Sequence, residues 1–369
     1  MPSRFASAIT PALRDALLRA LPGAELVSVE PFATDAADEH DATTKGAGYG
    51  IPLRLSVRLA SGEERLLVFH TASSDVFGHD RRADRAAEML LAFDTFGSIP
   101  NHVRALDVGA IRNDGRGLIS LAPAGEFYLL TSYGDGHVYA EDLRRIAHAR
   151  RIEERDVHRA EKLARYLVAL HAHKVEDEAR YARSVRDVVG SGEGIFGIID
   201  GYPRDVPAAP AARLEAIEQQ AVRWRWRLRG KERRLSRAHG DFHPFNVLFD
   251  SASELALLDA ARGSLGDPAD DVTCMAINYV FFAVEQPEAW PGALRELWRR
   301  FWDVYLEESG DSELCDVAAP FLAWRGLVVA NPVWYPALDA AARDRVLSLI
   351  ERTLAAERFD PAFAEDVFA

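Results

Sequence analysis

An aspartate, an asparagine five residues later and a second aspartate thirteen residues beyond that form the combination in this chain with the clearest chemistry. Asp241 and Asn246 lie in His239-Gly240-Asp241-Phe242-His243-Pro244-Phe245-Asn246, and Asp259 closes Leu257-Leu258-Asp259. Phosphoryl transfer needs a carboxylate that accepts the proton of the attacking hydroxyl, an amide oxygen that binds a metal, and a second carboxylate that bridges Mg²⁺ to the nucleotide phosphates. Asp241, Asn246 and Asp259 supply these groups in that order. Taken singly, Asp241 and Asn246 read as turn residues, since Asp, Asn and Gly are common turn formers; taken with Asp259, the set favours catalysis. Asp259 ends the apolar run Leu255-Ala256-Leu257-Leu258, which reads as a short buried strand delivering a carboxylate at its end. His239 is expected to hydrogen-bond within the loop, and His243 to sit in its turn or beside the substrate.

The spacing D-x-x-x-x-N is that of the protein-kinase catalytic loop H-R-D-x-x-x-x-N, with Gly240 where that motif has Arg. The Arg of many protein kinases docks an activation-loop phosphate, and a small-molecule kinase without such regulation can leave the position to Gly. H-G-D-F-H-P-F-N-V-L-F, then L-L-D, then Gly266-Asp267-Pro268-Ala269-Asp270-Asp271 resemble the aminoglycoside phosphotransferase and choline kinase superfamily. Leu167-Val168-Ala169-Leu170-His171 is similar to that superfamily's helix before the catalytic loop, and Glu126 to Thr131 to its strand into the hinge. The resemblance implies an α+β, bilobal, protein-kinase-like fold. It also implies transfer of the γ-phosphoryl group of ATP or GTP to a hydroxyl of a small molecule: aminoglycoside-like, an amino alcohol or a sugar. Asp241 would be the base, Asn246 and Asp259 would hold Mg²⁺, and the backbone of Ser132 and Tyr133 would read the nucleotide base. Asp267 and Asp271 resemble the superfamily's helix-start motif, a structural role.

The elements that must position these residues divide the chain. Thr10-Pro11 followed by Leu13, Leu17, Leu18 and Leu21 predicts a capped N-terminal helix within residues 1–24, with Gly23 past its end. From 25 to 131 the pattern is strand-rich: Leu26 to Val29, Ile51 to Leu59, a Ser61-Gly62 turn and Arg65 to Thr71, then a helix over Asp80 to Phe93 and strands near Gly117 to Leu121 and Glu126 to Thr131. Residues 132–369 read as mostly helical, after a hinge at Ser132 to Gly136. Strands first and helices after fits a small β-rich lobe followed by a larger helical one.

Two glycine-rich segments compete for the phosphate cradle. Gly192-Glu193-Gly194-Ile195-Phe196-Gly197 matches G-x-G-x-x-G, yet it follows a helical stretch, whereas a dinucleotide fingerprint follows a strand. It reads as a loop of the helical lobe. Thr44-Lys45-Gly46-Ala47-Gly48-Tyr49-Gly50 lies between the first two strands, so Lys45, Gly46 and Gly48 are the expected phosphate cover, against the plainer reading of a hairpin turn. The strand Arg65 to Thr71 departs from the kinase pattern: the Lys expected there to hold the α- and β-phosphates is replaced by His70, with Glu88, eighteen residues on, as its natural partner. With an unperturbed pKa near 6.5, His is a conditional cation. That departure motivates the alternative reading, a catalytically silent kinase-like protein that binds nucleotide or a small molecule.

Composition bounds the rest. At 369 residues and 48% hydrophobic the chain can bury a large core. Its net charge of −13 argues against nucleic-acid partners and suits a cationic acceptor. Two cysteines, Cys274 and Cys315, and no signal-like start point to the cytoplasm. The longest apolar stretch, Met275 to Val284, is far short of the roughly 20 residues that span a bilayer, so no membrane partner is expected. Arg223-Trp224-Arg225-Trp226-Arg227 reads as a helix-packing face with solvated arginines, and Trp298, Trp302, Trp324 and Trp334 read as helix-packing anchors. The acceptor's identity and the oligomeric state leave no mark in these motifs.

Overall fold

The computed structural model describes residues 11–15, 17, 19–31, 52–75, 78–114, 117–127 and 129–368. The chain forms two compact units, Met1–Thr131 and Ser132–Ala369.

In the first unit β1 (Glu25–Pro31), β2 (Leu53–Arg58) and β3 (Glu64–Phe69) form an antiparallel sheet in chain order. Successive side chains of a strand face opposite sides. In β2 this buries Leu53, Leu55 and Val57 and turns Arg54 and Arg58 outward. The buried face packs with Leu26 of β1 and with Ala12, Leu13 and Leu17, which lie among the helical residues 11–15, 17 and 19–20. The expected helix near Asp80 is α1 (Arg82–Thr95), opened by the Asp84 carboxylate, which accepts the Arg81 N–H at 3.0 Å. β4 (Gly109–Ile111) and β5 (Leu118–Ser120) form a hairpin. The strand expected from Glu126 to Thr131 is not found among the described residues of that segment. Leu129 and Leu130 are 88% and 89% exposed there, with no packing surface over them.

The second unit carries two small sheets among its helices. β6 (His137–Val138), β8 (Val247–Phe249) and β9 (Leu255–Leu257) pair antiparallel with β8 central, and β7 (Ser236–Arg237) pairs with β10 (Leu265–Gly266). The longer helices are α2 (Tyr139–Ala149), α3 (Glu154–His171), α4 (Glu178–Gly190), α6 (Ala211–Arg227), α7 (Pro268–Glu285), α8 (Arg295–Ser309), α10 (Ala319–Ala330) and α11 (Ala340–Ala355); α5 (Ile195–Asp200) and α9 (Leu314–Val317) are short.

Helix α7 is the axis of this core. A helix that is apolar all round belongs in the interior, and every residue from Pro268 to Val284 is buried. Asp267 caps it by accepting the Ala269 N–H at 3.0 Å, and Pro268 follows at the first helical position, where its missing N–H costs nothing. Arg234 grips the same carboxylate with two bonds, at 2.9 and 3.0 Å. The longest apolar stretch of the sequence is therefore core, and no helix among the described residues is long and apolar enough to cross a membrane.

Trp298, Trp302 and Trp324 are buried packing residues, whereas Trp334 is 63% exposed in the connection between α10 and α11 and anchors nothing. On α6, Trp224 is buried and donates from Nε1 to the Leu354 carbonyl at 2.9 Å, while Trp226 remains exposed. Cys274 and Cys315 are free and buried. The turn of Gly192 to Gly197 enters α5, and a Cβ on Gly197 would lie 2.0 Å from the Gly192 carbonyl oxygen. These glycines serve a tight backbone turn after a helix.

Candidate active site

The loop between β7 and β8 is anchored from α7. Asp271 accepts the His239 N–H on Oδ2 and the Gly240 N–H on Oδ1, each at 2.8 Å, and His171 Nε2 donates to Oδ2 at 3.1 Å. Asp271 is wholly buried, which alone would raise its pKa; the His171 contact and the two backbone donors outweigh burial and hold it below the ordinary carboxylate range. Behind the loop, Ala261 donates its N–H to the His239 carbonyl at 3.0 Å. Gly240 has φ +83°, and a Cβ there would stand 2.4 Å from the Ala261 carbonyl oxygen. Glycine in place of the kinase arginine thus has a steric cause: two backbone segments touch at this point. His239 bonds within the loop, its Nδ1 accepting the Asp241 N–H at 3.2 Å.

Asp241 and Asn246 are joined directly. Asn246 Nδ2 donates to the Asp241 carbonyl and to Asp241 Oδ2, both at 3.1 Å. The Asn246 carbonyl accepts the Leu258 N–H at 2.9 Å, extending the β8–β9 pairing of Val247 with Leu257 by one step. Opposed residues of an antiparallel pair lie roughly 5 Å apart at Cα, so the hairpin delivers Asp259 beside Asn246. Asp259 has φ +50°, is exposed, and makes no hydrogen bond or ion pair within the described residues.

These two residues fit a magnesium ion. Asn246 spends its Nδ2 on Asp241 and keeps its Oδ1 without a protein donor among the described residues, and Asp259 keeps both carboxylate oxygens free. Mg²⁺ takes hard oxygen ligands and is commonly held by one or two protein groups plus waters and substrate phosphates. Among the described residues no cluster of three or more His, Cys, Asp or Glu could hold a metal by itself.

The electrostatics of Asp241 depend on a residue that the motifs do not include. Arg325, on α10, donates from Nη1 to Asp241 Oδ1 at 2.8 Å, and from Nη2 to the Gly240 carbonyl at 2.7 Å and to Asp270 Oδ1 at 2.9 Å. His243 Nε2 stands 3.3 Å from Asp241 Oδ2. Partial burial pushes the Asp241 pKa up, but the His243 hydrogen bond and the Arg325 charge overcome it and hold the carboxyl well below the usual range. Arg262 donates to Asp270 Oδ2 at 3.1 Å, and the Arg262 and Arg325 guanidinium groups both lie over the Trp324 ring, at 4.4 and 3.7 Å from its centre. One sequence signal marks Arg325: it is the single charged residue in Ala319–Ala330, an otherwise apolar helix, and a charge enclosed in such a helix requires a partner.

Of the residues expected on the nucleotide side, the structure describes His70, Glu88, Ser132 and Tyr133. Lys45, Gly46 and Gly48 lie outside the described residues. His70 follows β3, is exposed, and makes no hydrogen bond or ion pair among the described residues. Glu88 is not its partner: Glu88 Oε2 stands 3.4 Å from His79 Nε2, whose other ring nitrogen meets Asp75 at 2.9 Å. Sequence distance from the strand did not anticipate a histidine closer to the helix. Ser132 and Tyr133 are exposed at the start of the second unit.

Among solved structures, a glucosamine kinase (crystal form A) aligns over 94% of this chain and 97% of its own, at 14% identity and a TM-score of 0.40. An aminoglycoside-3'-phosphotransferase of type VIII aligns over 87% of this chain and 98% of its own, at 22% identity and a TM-score of 0.35. Crystal form B of the glucosamine kinase aligns at 19% identity and a TM-score of 0.38, over 57% of this chain and only 58% of that structure's length. No curated protein matches the chain in sequence. The match to a family model is broader in meaning: residues 56–307, more than half of the 369, fit the phosphotransferase enzyme family. With its bilobal α+β fold of the protein-kinase-like type, this chain belongs to that phosphotransferase family.

Proposed function

We propose that the protein transfers the γ-phosphoryl group of ATP or GTP to a hydroxyl of a small molecule, with Asp241 receiving the hydroxyl proton. The observation that carries this reading is the joining of Asp241 to Asn246 in one hydrogen-bonded loop, with Asp259 following directly on Leu258, the residue paired to Asn246 across the β8–β9 hairpin. Asn246 Oδ1 and the Asp259 carboxylate would hold Mg²⁺, which when bound neutralises charge on the phosphates. Asp241 is a weak base, because its carboxyl is held so far toward the ionised form. Its work is to orient the acceptor hydroxyl and to take the proton late, which suits a loose transition state in which positioning and charge neutralisation dominate. From their places in the sequence, the Ser132 and Tyr133 backbone would read the nucleotide base and His70 would meet a phosphate oxygen. The net charge of −13 favours a cationic acceptor, such as an amino sugar or an amino alcohol.

A second reading, a silent nucleotide-binding relative, is favoured by one observation: His70 stands where a Lys is expected, with no acidic partner among the described residues. Incubation with Mg²⁺ and γ-labelled ATP or GTP, against a panel of aminoglycosides, amino alcohols, amino sugars and neutral sugars, decides between them. A labelled phosphoester on one acceptor is the expected result. Nucleotide binding with no label transferred to any acceptor or to water would favour the silent relative.

A further inference from the structure

The family match ends at residue 307, and Arg325 lies beyond it. Yet Arg325 makes the shortest contact to the Asp241 carboxylate, 2.8 Å, against 3.1 Å for Asn246 and 3.3 Å for His243. Its other two bonds, to the Gly240 carbonyl and to Asp270, tie the catalytic loop to the first turn of α7. Arg325 itself is buried, 8% exposed, and its Nε is enclosed without a hydrogen-bond partner. Buried donors are nearly always satisfied. A guanidinium that leaves one donor unmade while directing both Nη groups at the base and its supports is placed for the base rather than for its own solvation.

We propose that Arg325 is a positioning residue for phosphoryl transfer: it fixes the plane of the Asp241 carboxylate from a helix outside the family-matched segment. The inference rests on the reading of Asp241 as the base. Arg325 holds Oδ1 and Asn246 holds Oδ2, so the carboxylate has a donor on each oxygen and no free rotation about its Cβ–Cγ bond. Loss of the Asn246 donor would still leave Oδ1 held; loss of Arg325 leaves Oδ1 without a donor and Asp270 Oδ1 short of its partner, with only the loop-side contacts to Oδ2 remaining. The neighbouring Trp324 extends the same support, since its Nε1 donates to the Glu193 carbonyl at 2.7 Å and both Arg325 and Arg262 lie over its ring. Helix α10 therefore couples the Gly192 to Gly197 turn to the base through adjacent residues.

The test uses Mg²⁺-ATP with water as the acceptor, read as ADP release by the full chain. Four proteins are compared with the parent: Asp241→Asn, Arg325→Met, Arg325→Lys and the double variant Asp241→Asn with Arg325→Met. The expected result is that Arg325→Met lowers kcat by about tenfold or more while KM for ATP stays within about twofold, because a misaligned base costs the transition state and not nucleotide binding. Arg325→Lys should recover part of that kcat, its ammonium reaching one of the three acceptors. In the Asp241→Asn background Arg325→Met should cost nothing further. If Arg325→Met fails to fold, the same cycle is run with Arg325→Lys, which keeps the buried charge. Losses that multiply in the double variant, or an Arg325 variant with the parent's kcat, overturn the positioning role and leave Asp241 as the base. Parent-like ADP release by Asp241→Asn overturns the base assignment, and the inference with it.

Discussion

Gly240 and Asp271 are bound to each other by a 2.8 Å hydrogen bond from the glycine N–H to Oδ1, while the other carboxylate oxygen takes the His239 N–H at the same distance. A buried carboxylate on α7 thus holds the backbone on which Asp241 sits, and the opposite side of Gly240 is closed by the Ala261 carbonyl. The loop has no slack at this point. The identity of residue 240 follows from that enclosure, whatever occupies the site.

Gly240→Ala should therefore destabilise the protein. A left-handed backbone costs a non-glycine residue about 1–3 kcal/mol, and a Cβ at 2.4 Å from backbone oxygen forces either Ala261 or the loop to move. Urea unfolding is expected to show a loss at or above that range. A change below about 0.5 kcal/mol would mean that the loop relaxes freely, contrary to the anchoring described.

Asp241→Ala is expected to lower phosphoryl transfer to an established acceptor by about 10²-fold or more, the ordinary contribution of a positioned base. Asp241 is partly exposed and packs no core, so the far-ultraviolet circular dichroism spectrum should match the parent's. Transfer within tenfold of the parent would remove Asp241 from the base role.

The metal can be examined without knowing the acceptor. With Mg²⁺ present, ATP or GTP should raise the melting temperature; at 100 times Kd a ligand contributes about 2.7 kcal/mol, a shift of a few degrees for a chain of this size. Asp259→Asn should abolish most of that increment, and omission of Mg²⁺ should do the same in the parent. A shift indifferent to both changes places the metal on other residues.

What could be read in the sequence was local, and what could not was mostly long-range. Asp241, Asn246 and Asp259 announce themselves because loop spacing and a strand end are chain-local features, and the alternation of Leu53, Leu55 and Val57 is equally so. Arg325 reaches Asp241 across 84 residues and through tertiary packing alone, so only its isolation in an apolar helix hinted at it. The assignment of Glu88 to His70 failed for a similar reason: a carboxylate on a helix can meet any donor that the intervening chain brings near, and here that is the His79 ring. Around Leu129 and Leu130 the expected strand into the hinge is not found among the described residues, and both side chains are exposed, so the resemblance of that segment did not carry its local pairing.

Glu313, just before α9, accepts from Lys231 Nζ at 2.7 Å and from Arg233 at 2.5 Å, and these hydrogen bonds lower its pKa to about 2. The clasp holds the turn that carries Arg234, whose fork grips the Asp267 cap of α7. An unfolded Glu titrates near 4.3, so the folded state has the lower pKa and the clasp's contribution is complete above about pH 4.3. It is lost as pH falls through the window down to about 2, where the unfolded chain binds the proton more readily than the folded one. Glu313→Gln should accordingly have a lower urea midpoint than the parent at pH 6, and the two midpoints should converge between pH 4 and pH 2.5. A gap that stays constant or widens on acidification would show that the charge on Glu313 contributes nothing to holding this turn.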